Sequence, residues 1–320
     1  MAEQLRRRPW LFAAALALGL LIANIIAEPN FGKPGNWPSE LATLAPFAIV
    51  ALASTPSILS GGGGLDISIG PIAVLSNVIL IEWFLPHSGL DSAWVGIPLL
   101  MLIGAAVGAI NGTLVAVFRY QPVIATLCTF FVLAGVIQKI APTPKSPAAG
   151  NWTADFADKL GPIPGALVLL AIPVVIWLLL SRTAYHRNLY ATGGNDATAF
   201  SSGINVTATR ITAYALGGAI ASVAGIALTA LVQSTQTASF ASYTLIALAA
   251  VALGGTQLGG GRGGMIASLL GAVCIYLMQT LLSAVGVSSS WLQFVYGAML
   301  VSGVVVGAKL LTLRPKGAPA

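Results

Sequence analysis

"LATLAPFAIVALASTPSILSGGGGLDISIGPIAVLSNVILIEWFL" (residues 41–85) contains two apolar runs, 41–59 and 67–85. Each is close to the ~20 residues with which a helix crosses a bilayer. Between them lie four consecutive glycines and one carboxylate, Asp66. The rest of the chain decides whether this is a soluble core or a membrane hairpin. It is 320 residues long, 57% hydrophobic and 8% charged. An ordinary soluble domain carries about 25% charged residues, so this chain cannot cover a soluble surface. Apolar stretches recur at 10–26, 95–118, 123–140, 163–180, 211–232, 243–254, 265–285 and 291–311. With the first two, that makes ten. No stretch remains for a folded soluble unit. The expected fold is a single all-α polytopic membrane domain over residues 1–320, with about ten transmembrane helices.

Charge orients it. With both ends in the cytoplasm, the inner side holds Arg6, Arg7, Arg8, Arg119, Arg182, Arg187, Arg210, Arg262, Lys309, Arg314 and Lys316. The outer side holds Lys33, Lys139, Lys145 and Lys159. This positive-inside bias accounts for every Lys and Arg, so the net charge of +6 calls for no nucleic acid. The basic start followed by an apolar run also fits a signal peptide. "AEPNFG" after Ala27 is a poor cleavage site, however, and the even count of spans works best if the first helix stays. The 243–254 stretch is short for a crossing, and either spans or turns back as a broken helix covered by protein.

Small residues recur at helical spacing: Gly104, Gly108 and Gly112; Gly217, Ala221 and Gly225; Gly303 and Gly307. In lipid, such faces let helix backbones approach closely, and packing is their main expected role beside lining a pathway. Pro46, Pro56, Pro71 and Pro173 fall in apolar runs and are expected to kink helices. Cys128 and Cys274 read as small buried hydrophobes, and His87 and His186 as loop residues without catalytic duty. Nothing suggests a metal site or disulfide. An outer loop at 141–165, rich in proline, is long enough to cover an outward mouth or meet a partner.

Asp66 allows two readings that can coexist. It or Ser68 can cap the following helix, with the glycines supplying positive φ and close approach. Alternatively it is a polar element of a path or its inner gate, since intramembrane carboxylates face the bundle interior or water. Scattered neutral polar residues, Ser68, Asn77, Asn111, Thr126, Thr129 and Gln279, together with Gly63 and Gly64, are the candidate lining. Groups of this kind suit hydroxyl-rich neutral cargo.

The chain has no phosphate-binding loop of the G-x-x-x-x-G-K-[ST] type, since "GGGRGG" (259–264) lacks the lysine and hydroxyl. It also has few acids for ion coupling, so it is a passive pore or a partner supplies the energy. Within the inner loop 181–210, "NDATAFSSG" (195–203) opens on two N-cap residues, Asn195 and Asp196, and ends at Gly203. A helix of about seven residues is marginal alone. It is either a plain surface helix or one that docks into another protein through Ala199 and Phe200.

Four segments carry a family resemblance. "GGLDISIG" (63–70), "NGTLVAVFRYQPVIATL" (111–127), "LYATGGNDATAFSSGINV" (189–206) and "ALAAVALGGTQLGGGRGG" (247–264) resemble, in order, signatures of the membrane permeases of ribose- and galactose-type ABC sugar importers. The resemblance runs from the second apolar stretch to the ninth. It implies a permease that is not itself an enzyme and holds no cofactor, with ATP bound by separate ATPase subunits. It further implies an extracytoplasmic solute-binding protein, a second permease subunit, a bacterial inner-membrane location and the larger importer architecture (type II) related to vitamin B12 permeases. Gly194, Asn195, Asp196, Ala199, Phe200, Gly203, Ile204 and Asn205 would then form the ATPase-coupling segment. Two departures stand out: Gly61 and Gly62 are extra glycines suggesting a looser turn, and Thr244 and Ile246 stand where many relatives carry acids. The expected cargo is a small neutral carbohydrate moved by alternating access. The competing readings are a permease of the same superfamily for a branched-chain amino acid, and a stand-alone channel. A membrane-embedded enzyme is disfavoured, since no nucleophile–base or ligand cluster is visible.

Overall fold

The computed structural model describes residues 10–238 and 240–312, and among them the chain is almost wholly helical. Arg6, Arg7, Arg8, Arg314 and Lys316 lie outside the described residues. In chain order the helices are α1 (Trp10–Ala27), α2 (Trp37–Leu59), α3 (Ile69–Ile79), α4 (Ala93–Ala116), α5 (Pro122–Ile140), α6 (Gly165–Ser181), α7 (Ala184–Gly194), α8 (Asp196–Ser201), α9 (Val206–Val232), α10 (Phe240–Leu253), α11 (Met265–Ala284) and α12 (Leu292–Thr312). Each of the ten apolar stretches falls on one of these helices, and α7 and α8 lie in the 181–210 loop. Six helices (α1, α2, α4, α5, α9 and α11) are long and apolar enough to cross a membrane by length and composition. The pair α6 and α7, bent by 88°, adds a seventh. The chain is an all-α polytopic membrane protein.

The layering follows from which helices are apolar all round. α2 is buried along almost its whole length and packs on α3, α6, α9, α10 and α11. α9 is the second central element, against α2, α3 and α4. In contrast, α1, α4, α5 and α6 show bare aliphatic faces, including Leu18, Ile22, Leu102, Ile110, Phe131, Val132, Leu178 and Leu179, as lipid-facing helices do. Cys128 lies on the exposed side of α5, which corrects the expectation of burial; Cys274 is buried and donates to the Ala13 carbonyl at 3.2 Å.

The small-residue faces pack helices. A Cβ at Gly104 would overlap the Gly218 carbonyl, and one at Gly108 the Tyr214 carbonyl, so α4 and α9 run backbone against backbone. Gly217 and Gly225 bring α9 equally close to Ala53 of α2 and Ala73 of α3. Pro46, Pro56, Pro71 and Pro173 all lie within helices. α2 continues through Pro46 and Pro56, and Pro71 sits in the first turn of α3, where its missing N–H is not needed.

Among the ten helices on apolar stretches, α3 and α10 are the shortest. α3 continues into a π-helical turn, Leu80–Phe84, closed by Leu85 N to Leu80 O at 2.9 Å. α10 has 14 residues, about 21 Å at 1.5 Å per residue. Their first turns meet: Thr244 Oγ1 donates to the Ile67 carbonyl at 3.0 Å, and Gly70 leaves room for the Phe240 carbonyl.

The loop at 141–165 is ordered. It carries a two-residue antiparallel pairing, β1 (Lys159–Leu160) with β2 (Ile163–Pro164). It is sewn to the α9–α10 connection by a reciprocal Lys145–Thr235 backbone and hydroxyl pair and by Asn151 Nδ2 on Gln233 Oε1 at 2.9 Å. Lys145 Nζ also meets Glu82 Oε2 at 2.7 Å. This ion pair is half open to solvent. Glu82→Gln is therefore expected to change stability by less than about 1 kcal/mol in a thermal-shift measurement.

Candidate functional site

The turn 60–68 leaves α2 through three residues in the left-handed region, Gly61, Gly62 and Gly63, with φ of 76°, 66° and 71°. The extra glycines do not loosen it. A Cβ at Gly61 would come within 2.7 Å of Gly193 Cα, and one at Gly260 would overlap Gly61. Gly193 itself lies against the Leu59 carbonyl, and Gly261 N donates to that carbonyl at 3.1 Å. Three glycine-rich segments far apart in sequence therefore interlock: the α2–α3 turn, the end of α7 and the α10–α11 loop. Tyr190 adds a bond to the Gly263 carbonyl at 2.9 Å. A cavity of about 330 Å³ opens beside the junction, lined by Gly193, Gly194, Gln257, Gly259–Gly261 and Arg262.

From this junction the turn runs to a buried polar knot. Asp66 is 1% exposed. Its Oδ1 accepts from Ser68 N at 2.9 Å and Ser68 Oγ at 2.6 Å. Ser68 Oγ accepts from Asn111 Nδ2 at 2.8 Å, and Asn111 Oδ1 accepts from Thr129. Thr126 Oγ1 accepts from Ile67 N at 3.1 Å and donates to the Pro122 carbonyl at 2.9 Å. Five of the candidate residues, Asp66, Ser68, Asn111, Thr126 and Thr129, therefore meet, joining the α2–α3 turn to α4 and α5. Neither Asp66 nor Ser68 caps the free N–H groups of α3; Asp66 instead closes an Asx turn on Ser68. Gly64 packs on the Ser57 carbonyl, while Gly63 has open space beside it.

The other two polar candidates lie elsewhere. Asn77 Nδ2 donates to Thr229 Oγ1 at 2.8 Å and the Ser234 carbonyl at 3.2 Å, and Oδ1 accepts from Gln236 N at 2.8 Å. These bonds tie α3 to α9 and the loop beyond it. Gln279 accepts from Tyr296 at 2.7 Å, tying α11 to α12. Asn77→Leu removes the bonds to Thr229, the Ser234 carbonyl and the Gln236 N–H together, and leaves the buried Thr229 hydroxyl without its Asn77 donor. It is expected to cost about 1–3 kcal/mol of stability, read as a lowered melting temperature in detergent.

The inner segment is built as its caps require. α7 turns away from α6 through Thr183, and the His186 ring meets Trp177 edge-on and Tyr190 at a tilt, with ring centroids at 5.1 and 4.9 Å. Partial burial lowers the His186 pKa and raises that of Tyr190. Asn195 Oδ1 caps α8 by accepting from Thr198 N at 2.9 Å, and Asn205 Oδ1 caps α9 by accepting from Ala208 N at 2.9 Å. Gly203, with φ 82°, ends α8, and Ile204 N returns to the Ala199 carbonyl at 3.1 Å. On this helix Ala199 is 4% exposed and Phe200 72%. Ala199 packs into its own chain, and Phe200 stands clear. Gly194 has open space beside it.

One residue of the site carried no motif. Arg210, four residues into α9, bonds Asp196 at the start of α8 through Nη2, at 3.0 Å. The same guanidinium lies on Gly62, where a Cβ would be 2.8 Å from Nη2. Through Arg210, α8, the glycine turn and α9 are therefore in direct contact. The only hint in the sequence was the charge of Arg210 beside a segment with a lone acid. Among the described residues, no three or more His, Cys, Asp or Glu side chains gather as metal ligands would.

Comparison with known proteins matches residues 39–304 to a family described as branched-chain amino acid transport system / permease component. The chain is similar to the ribose import permease protein RbsC of Bacillus subtilis (strain 168), at 36% identity over 91% of both chains. It is similar to the protein of that title from Escherichia coli (strain K12), at 33% identity over 94% of this chain and 95% of that one. The fructose import permease protein FruG of Bifidobacterium longum (strain NCC 2705) is 31% identical over 93% of this chain and 90% of the relative. No solved structure matches it.

Proposed function

The chain belongs to the branched-chain amino acid transport system / permease component family, and from that premise we propose that it is the membrane permease subunit of an ATP-driven importer of a small neutral carbohydrate, a monosaccharide or related polyol. It is not an enzyme; ATP is bound and hydrolysed by a separate subunit, and the permease needs no cofactor of its own. The observation that carries the reading is similarity over nine-tenths of the chain to permeases titled for ribose and fructose import.

The chain crosses the membrane ten times, with both termini in the cytoplasm of a bacterium and the fold of the larger, type II importers. Support comes from how the loops sort. The turns 60–68, 193–195 and 254–264 meet one another, as segments on the inner side must. The loops 141–165 and 233–238 meet each other at the opposite ends of the same helices. The exposed tryptophans Trp37, Trp83, Trp94 and Trp291 stand at helix ends assigned to the outer side, as interfacial aromatics do. α10 begins against the first turn of α3 and ends at the inner junction, so it completes its crossing together with the descending loop before it.

The partners are two ATPase subunits, a second permease subunit and an extracytoplasmic solute-binding protein. α8 docks on the ATPase through Phe200. ATP-driven closure of the ATPases moves α8, and the glycine junction passes that motion to α2, α3 and the α10–α11 loop, rocking the bundle between outward and inward openings. Selectivity rests with the binding protein, so the path needs only neutral hydrogen-bonding groups, of which the Ser68–Asn111–Thr129 chain is the inner set.

Proteoliposomes holding this permease with its ATPase and binding protein test the reading. ATP-dependent accumulation of labelled ribose or fructose is the expected result. The family's description favours a second reading, a branched-chain amino acid. Leucine uptake with no sugar uptake would select it, and uptake by the permease alone without ATP would make the chain a channel.

A further inference from the structure

Among the side-chain atoms buried without a hydrogen-bond partner are Asp66 Oδ2, Arg210 Nε and the Tyr214 hydroxyl. Tyr214 lies one helical turn beyond Arg210 on α9, and its Cβ packs beside Gly112, next to the Asn111 that joins the Asp66 knot through Ser68. The Arg210 guanidinium rests on Gly62, four residues before Asp66. Buried polar groups almost always find partners, so each orphan asks for a reason. Here the three are chemically complementary: an acceptor, a donor and a hydroxyl that can do both. They sit beside a guanidinium already engaged elsewhere, on Asp196 at 3.0 Å.

The geometry points to Arg210 as a two-position link between the ATPase-coupling helix and the polar knot. In the position seen, its Nη2 holds Asp196 at the start of α8. In the other, the guanidinium turns inward onto Asp66 Oδ2, with the Tyr214 hydroxyl completing the set. The two ends differ in what they lose. The Asp196 side chain is half exposed, so water satisfies it when Arg210 leaves. Asp66 is enclosed and can be satisfied only by a neighbour. Docked movement of α8 that draws Asp196 away releases Arg210 to Asp66. Because Asp66 Oδ1 holds Ser68, and Ser68 holds Asn111, the exchange reaches α3, α4 and α5 without passing through the glycine junction. Gly62 is part of the device: any side chain there would occupy the guanidinium's place on the turn. A bistable contact of this kind turns a small shift at one site into a discrete change at another.

This inference rests on the permease reading. Its test uses the reconstituted complex with ATPase and binding protein, measuring ATPase association, ATP hydrolysis and sugar uptake separately. Arg210→Gln and Asp66→Asn are each expected to keep ATPase association and hydrolysis while uptake per ATP falls at least tenfold. The double variant should be no worse than either single one, since both remove the same step. Arg210→Lys should recover part of the loss, and Tyr214→Phe should cost a few-fold. Asp196→Asn, which frees Arg210 without touching a buried group, covers the case in which a buried substitution impairs folding. It should raise hydrolysis in the absence of sugar at least twofold, and adding Asp66→Asn should cancel the rise. Multiplying losses in the Arg210 and Asp66 double variant, wild-type uptake per ATP in Asp66→Asn, or unchanged hydrolysis in Asp196→Asn would each overturn the link. If the wild-type chain binds no ATPase, the permease reading falls and the link with it. If the wild type pumps and Asp66→Asn pumps equally well, only the link falls.

Discussion

Phe200→Glu is expected to release the ATPase and abolish uptake while leaving the permease folded in the membrane. The phenyl ring is 72% exposed on a six-residue helix, and a helix that short does not hold itself together in water. Its local anchors are the Asn195 cap, the Gly203 stop and the Asp196–Arg210 pair, none of which involves Phe200. Removing the ring therefore costs the free chain little. In a complex, an aromatic side chain seated in a partner's groove belongs to the class of residues whose loss costs about 2–4 kcal/mol of binding. That is roughly a 30- to 1,000-fold weaker complex, and a buried carboxylate costs more. Ala199→Arg has the opposite signature. Ala199 is 4% exposed and faces its own chain, so a guanidinium there disrupts the segment before any partner is met. Pull-down of the ATPase by tagged permease, with a thermal-shift control, separates them. Phe200→Glu should lose the ATPase with an unchanged melting temperature, and Ala199→Arg should lose both. Retained ATPase binding by Phe200→Glu would remove α8 from the interface.

The contrast between Ala199 and Phe200 marks where the sequence becomes silent. Apolar length is a local property, so the ten apolar helices could be read from it, as could the short loop helix and its caps. The glycine faces of α4 and α9 were also legible, because a four-residue period needs no knowledge of the partner helix. Pairings across long separations were not. Nothing in "GGGG" at 61–64 says that Gly61 will meet Gly193 and Gly260, and the run reads as slack until three backbones are seen in contact. Asn77 and Asn111 look alike as lone amides in apolar runs. One proves a tie between helix ends, and the other a link in the Asp66 knot. Arg210 read as one more inner-side charge, although its role comes from standing between Asp196 and Gly62.

The glycine junction yields the sharpest contrast between adjacent residues. Gly193→Ala is expected to destabilise the permease by about 3 kcal/mol or more and to abolish uptake. The added methyl would overlap the Leu59 carbonyl and come within 2.5 Å of Gly261 N, and both are backbone atoms that cannot turn aside as a side chain could. Either α7 separates from the end of α2, or the Gly261–Leu59 hydrogen bond breaks and the α10–α11 loop moves out. Gly194→Ala should do none of this. Gly194 has no atom within 4 Å of its Cβ position and ends α7 with no left-handed φ, so alanine should leave stability within about 1 kcal/mol of the parent or slightly above it. The pair controls for helix propensity, position and chemistry, leaving only the backbone contact to differ. Melting temperature in detergent reads the first effect, and ATP-dependent uptake with ATPase hydrolysis reads the second. A milder outcome, in which Gly193→Ala folds and hydrolyses ATP but does not transport, would assign the junction to transmission rather than stability. Equal behaviour of the two variants would mean that the three glycine segments are not in contact in the working transporter, leaving the Arg210 link as the route from α8 into the bundle.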